Sequence, residues 1–221
     1  MRIFLLFLTA ALSAQEVLRG EVRIDIEPIH GAYVEEVYPL DIESVSRRAL
    51  EESALFYSAI IYGWSFEYDV GERARGIAEA FELTPLGVVS FGDPGLSATD
   101  VKVQDMRLHL WTDYRLTAEQ QRRLGFWKSG AVRTAQAVGY GPLGNPAEQS
   151  DWITIKKAAL EDAARLAVRT MLRGSERNRP KEVRGYISLA GFPNYWVDAG
   201  QWAVSARFRV DIIEIVPFGA Y

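Results

Sequence analysis

The sequence predicts an α+β protein of two similar halves, each an antiparallel sheet with one long helix packed on it. Three observations carry this. Two long segments, near 41–62 and 151–173, repeat apolar residues at three- and four-residue steps, the period of a helix with one buried face. Most of the remaining segments alternate apolar and polar residues, the period of a half-buried strand. The order strand, corner, long helix, strand, irregular connection, long strand occurs twice. Related phrases, R-R-A-L-E-E at Arg47–Glu52 and K-A-A-L-E-D at Lys157–Asp162, sit in the two helices. The division expected is 15–116 for the first half, 117–130 for a connector and 131–221 for the second half.

In the first half, Val22, Ile24 and Ile26 alternate with Arg23, Asp25 and Glu27, which reads as a strand that Pro28 ends. A loop holding Gly31 follows, with Glu35 and Glu36 as solvated acids. Asp41 is placed to cap a helix that runs to Tyr62, with Ile42, Val45, Ala49, Phe56 and Ile60 on one stripe. No charge occurs between Glu52 and Glu67, so the second half of this helix is expected to be buried nearly all round or to face a partner. Gly63 stops it. Trp64, Phe66, Tyr68 and Val70 then alternate as a strand, with a hairpin partner near 77–83. Residues 84–99, rich in Gly and Pro, read as a loop. One long strand is expected over 101–116, with a bulge near Gln104–Asp105 because Val101 and Val103 are out of phase with Met106, Leu108 and Leu110.

Thr117 and Gln120 fit a capping box that opens a short polar helix, with Gly125 at its end. The second half opens with a strand over 131–140 and a Gly/Pro-rich corner. The clearest helix follows, with Ser150 as cap and Asp151 in the first turn, where a negative charge meets the positive end of the helix dipole. Its buried face is rich in alanine, which lets a helix lie close to a sheet. Residues 183–189 read as a strand, 191–200 as a turn-rich connection and 201–216 as the last long strand.

The first residues, Met1-Arg2 followed by a short apolar run and small residues, read as a secretory signal peptide over 1–14. The expected location is therefore the periplasm. The chain has no cysteine, which excludes disulfides, a thiol nucleophile, thiolate metal sites and a lipid-bearing cysteine. The formal net charge is −4, so nucleic acid and anionic membranes are not expected partners, and no later segment is apolar enough for an integral membrane span.

The phrase A-V-G-Y-G-P at Ala137–Pro142, followed by Ala158–Val168, resembles the N-terminal domain of flagellar assembly protein T and related small outer-membrane lipoproteins. The resemblance covers roughly 131–216. It implies a periplasmic or envelope assembly protein with no catalytic residues to carry over, and this chain lacks the cysteine of the lipoprotein members.

Other constellations are read against plainer alternatives. Gly139–Gly144 matches G-x-G-x-x-G, but Pro142 and Pro146 intervene before the helix, so a structural corner is expected and no cofactor. His30 and His109 have no metal-ligand spacing, and no metal or catalytic residue is assigned. Arg169, Arg173, Arg177, Arg179, Lys181 and Arg184 form a basic cluster, either a site for phosphate, an acidic polymer or a partner's acidic face, or a solvated face whose charges complement the helix C-terminus. Six tryptophans are many for this length. Trp111 falls on the polar side of its strand and Tyr195-Trp196 in a turn, which marks them as contact residues unless they seal the space between the halves. The candidate interaction residues are Trp111, Tyr195, Trp196, Arg173, Arg177, Arg179 and Lys181. The expected function is non-enzymatic, through protein–protein contacts in flagellar or envelope assembly, with self-association compatible. The alternative is a small-ligand or polymer-binding module with an aromatic groove between the halves.

Overall fold

The computed structural model describes residues 16–27, 39–72, 76–142, 152–175 and 180–217, with side chains of the last helix described to 173. The expected signal segment over 1–14, His30, the Glu35–Glu36 loop, Ser150, Asp151, Arg177 and Arg179 lie outside the described residues. The elements are β1 (Val17–Asp25), α1 (Ile42–Ile61), β2 (Trp64–Asp69), β3 (Ala80–Pro85), β4 (Leu96–Gln104), β5 (Arg107–Arg115), α2 (Ala118–Trp127), β6 (Arg133–Tyr140), α3 (Trp152–Ser175), β7 (Pro180–Leu189), β8 (Asn194–Asp198) and β9 (Gln201–Pro217).

The class is α+β, with two antiparallel sheets. The smaller has the order β1-β5-β4; the larger runs β3-β2-β7-β9-β6, with β8 also paired to β9. The sheets do not follow the two halves of the chain. β2 and β3 leave the first half and join the second through β7, with Trp64 opposite Ile187 and Tyr68 opposite Val183. The reason is apolar burial. Phe66 and Tyr68 continue the inward face formed by Val183, Ile187, Leu189, Val204 and Phe208, and all seven are buried.

The helices begin where their cap chemistry sets them. Asp41 Oδ1 accepts the Ser44 N–H at 2.8 Å to start α1. Thr117 and Gln120 close a reciprocal capping box on α2. Gly125 lies inside α2, because the helix continues until Trp127 is buried against α1, where its indole N–H donates to the Ile61 carbonyl at 3.1 Å. The charge-free half of α1 is indeed buried on every side, from Ser53 to Ile61 except Leu55. One side meets β1 and β5 and another meets β7, so α1 lies between the two sheets. The Tyr57 hydroxyl crosses to the smaller sheet and donates to the Thr112 carbonyl at 2.8 Å; burial pushes this phenol up to about 12.

The expected strand over 101–116 is the end of one strand, a turn and a second strand. Asp105 and Met106 both have positive φ and form a two-residue hairpin turn, which reverses the chain and so shifts the apolar phase. The bulge lies earlier, between Ala98 and Asp100. The expected loop over 84–99 gives way to β4 at Leu96. The turn-rich stretch at 191–200 contains β8, joined to β9 through Ala199 and Gly200, again with positive φ at both. Neither turn carries the Asn-Gly or Asp-Gly pair that advertises such a hairpin.

Helix α3 crosses β6 and β9 on its alanine face. A Cβ at Gly139 would lie 2.1 Å from the Ala163 nitrogen and 2.4 Å from the Ala159 carbonyl oxygen, so glycine sets how closely α3 approaches β6. Gly139→Ala is expected to destabilise the protein by about 1–3 kcal/mol. Ala164→Asp, which buries an unpaired charge at a fully buried position, should cost more. Denaturant titration reads both; a wild-type midpoint for either would refute this packing.

Candidate functional site

The two long helices meet at a buried ion pair. Glu52 occupies the inward stripe of α1 with Val45, Ala49 and Phe56, and Lys156 that of α3 with Trp152, Ala159 and Ala163. Lys156 Nζ donates to Glu52 Oε2 at 2.6 Å, with the two side chains only 5% and 3% exposed. Three rings surround the ammonium: Trp202 at 4.7 Å, Tyr195 at 5.1 Å and Trp152 at 5.5 Å from Nζ to centroid. The Tyr195 hydroxyl donates to the Lys156 carbonyl at 3.0 Å, and its ring stacks on Phe56. Burial, with the Glu52 charge beside it, holds the Tyr195 phenol well above its usual value, so it stays a neutral donor. Burial also raises the Glu52 carboxyl, against the pull of Lys156. Each charge satisfies the other, and the cluster joins α1, α3, β8 and β9.

Beside this pair, a pocket of about 440 Å³ opens between the same helices. Ala54, Leu55 and Ala59 of α1, Ile153 and Leu160 of α3, and Trp64, Leu83 and Pro85 of β2–β3 form its walls. Residues 87–91 close one side. The Ser58 hydroxyl pins them: it donates to the Ala54 carbonyl at 2.7 Å and accepts the Val89 N–H at 2.8 Å. Val89 is buried, while Val88 and Phe91 are left exposed. Glu51, Lys157 and Glu161 stand at the rim, and none forms a hydrogen bond or ion pair with another described residue. Desolvation raises the Glu161 carboxyl, and Lys157 offsets only part of this.

At the end of the larger sheet, Glu79 ties β2 and α3 together. Its carboxylate accepts the Tyr68 hydroxyl at 2.6 Å and Arg165 at 2.9 Å, with Arg169 at 3.9 Å. Burial opposes ionisation here, but these donors hold the carboxyl below its ordinary value.

The residues singled out in the sequence are dispersed. Tyr195 is not in a turn but on β8, where it packs into the cage around Lys156. Trp196 is half-buried on β8, opposite Ala203. Trp111 is half-buried on β5 and stacks on His109, whose Nδ1 lies 2.7 Å from Glu21. Arg173 and Lys181 are exposed. Arg165 and Arg169 engage Glu79, and Arg184 lies among Glu67, Glu182 and Glu214, so the basic cluster is partly neutralised. Among the tryptophans, only Trp64 lines the pocket; Trp127 is buried against α1, and Trp152 and Trp202 belong to the cage. Glu52 and Lys156 were missed. Their signal was present, since each is a charge on an apolar stripe and the two have opposite sign.

A protein-family model matches residues 7–218, and the chain belongs to that family. This overturns the resemblance to flagellar assembly protein T. The family match spans nearly the whole chain rather than its second half. An uncharacterized protein of Treponema pallidum (strain Nichols) is 26% identical over 171 residues, covering 77% of this chain and 69% of that protein. No solved structure matches.

Glu52→Gln leaves the buried Lys156 charge without its counter-ion and is expected to cost about 3–5 kcal/mol, whereas Glu52→Gln with Lys156→Met should recover most of that loss. Equilibrium unfolding of the single and double variants checks this. For Glu79 the folded-state carboxyl lies below its unfolded value of 4.5. Its stabilisation is therefore present above that value and lost as pH falls through the folded value. Glu79→Gln should be less stable than wild type at neutral pH, and the two unfolding midpoints should converge in acid.

Proposed function

We propose that this chain is an exported, non-enzymatic protein of the periplasm and cell envelope that works through protein contacts. The N-terminal pattern of one arginine, a short apolar run and small residues supports export. The polar groups that the fold buries support a non-catalytic role: Glu52 and Lys156 neutralise each other, and Tyr195 is held as a structural donor.

One observation carries the contact reading. β4 is an edge strand, and its residues from Ser97 to Gln104 are exposed. Val101 and Val103 pair with Leu110 and Leu108 and share their face. The two leucines are buried, whereas Val101 and Val103 are 53% and 52% exposed. The apolar face beneath β5 therefore continues into an open strip at the edge. An extended segment of a partner protein can add a strand here, pairing with the free backbone and covering the valines.

The pocket between α1 and α3 favours a second reading, a small-ligand module. Its walls are mostly aliphatic, with Trp64 and Phe91 as the aromatic residues, in place of the tryptophan-lined groove expected from the sequence.

The contact reading is tested by crosslinked capture from the protein's own cells, comparing wild type with Val101→Lys/Val103→Lys. An envelope partner held by wild type and lost by the variant, at an unchanged melting temperature, is the expected result. Equal recovery by both proteins would refute the β4 edge as the contact.

A further inference from the structure

We infer that the pocket between α1 and α3 takes an amphipathic cation, with an alkyl or aryl body inside and a protonated amine at the rim. This rests on the small-ligand reading and names the ligand's chemistry.

The body is specified by the walls. Ala54, Leu55, Ala59, Ile153, Leu160, Leu83 and Pro85 offer no charge, and Trp64 gives one flat face. The one buried hydroxyl, Ser58, is already engaged on both sides by Ala54 and Val89. The interior is therefore mostly apolar, and burial of apolar surface drives entry. The volume, about 440 Å³, falls in the range of small-molecule sites, roughly 300–1,000 Å³. It suits an alkyl chain or ring system better than a folded partner. Val88 and Phe91, which line the pocket and are exposed, extend the apolar surface to its edge.

The head is specified by the rim. Two carboxylates, Glu51 and Glu161, face one amine, Lys157, and no described residue hydrogen-bonds or ion-pairs with any of the three. The rim is thus net acidic and unsatisfied, unlike the neighbouring Glu52–Lys156 pair. Apolar walls disfavour the Glu161 charge, and Lys157 only partly compensates. An ammonium placed between Glu51 and Glu161 supplies the missing counter-charge and donors. A carboxylate head would meet two like charges. Lys157 competes with the ligand's own amine, so its removal should tighten binding.

The test is isothermal titration calorimetry of the signal-free chain with dodecylammonium, dodecanol and dodecanoate, each below its micellar concentration and at low ionic strength. The expected result is saturable one-to-one binding of dodecylammonium, about tenfold or more tighter than dodecanoate. Glu161→Gln should weaken it roughly tenfold, and Lys157→Ala should strengthen it. Val88→Lys, at an exposed position and so without harm to folding, should weaken the ammonium compound and spare dodecanol. Dodecanol or dodecanoate binding as tightly as the amine would overturn the ammonium assignment while leaving a ligand pocket in place. Failure of all three compounds to bind would overturn the small-ligand reading itself. Uptake of several dodecylammonium molecules per chain, unchanged in Glu161→Gln, would reduce the effect to surface charge and overturn the proposal.

Discussion

The contact between Lys156 and Glu52 sets the relation of the two long helices, and much of the molecule is arranged around it. A charge removed from water is tolerable only with a close counter-charge and satisfied donors. Here that condition draws in four elements: α1 brings the carboxylate, α3 the ammonium and one ring, β8 Tyr195 and β9 Trp202. Apolar contacts alone are non-directional, and the alanine face of α3 could slide along its sheet at modest cost in buried area. An ion pair at 2.6 Å inside three rings admits one register. The pair contributes specificity of arrangement more than net stability, since an apolar substitute of similar volume would avoid the desolvation cost.

That register shapes the pocket. With Glu52 and Lys156 locked inward, the next residues along each helix, Glu51 and Lys157, turn to the rim of the opening. The wall residues Ala54, Leu55, Ala59, Ile153 and Leu160 fall between them. Adjacent positions in sequence thus have opposite fates. One acid and one base neutralise each other in the core, while their neighbours Glu51 and Lys157 reach the rim with no hydrogen bond or ion pair among the described residues.

Much of the fold was legible in the sequence where the period was long and the cap chemistry distinct. Asp41, Thr117 and Gln120 announced their helices, and the charge-free half of α1 foretold burial on every side. Legibility failed where a reversal lacked its usual residues. Asp105-Met106 and Ala199-Gly200 adopt a geometry that normally recruits two permissive residues, so the strands on either side were read as one strand or as a loop. It failed again for partners distant in the chain. Nothing local in Trp64–Asp69 says that its neighbour is β7 rather than an element of its own half. The site was less legible still. Tyr195 stands out for its ring, and of the two readings open to it, outward contact or sealing the interior, its packing against Lys156 and Phe56 matches the second. Lys156 is adjacent to the exposed Lys157, and sequence alone does not tell the two apart.

The pairing of β2 with β7 bears on how the chain reaches its native state. The larger sheet holds strands from both ends of the chain, and its centre, β7 between β2 and β9, joins them. Contacts between distant segments form late, because the intervening chain must be ordered before they repay its lost entropy. The hairpin of β2 and β3 therefore waits, with Phe66 and Tyr68 unsheltered, until β7 and β9 have emerged. Neither part of the chain completes the larger sheet alone, and a nascent chain exposes these faces until nearly its full length is available.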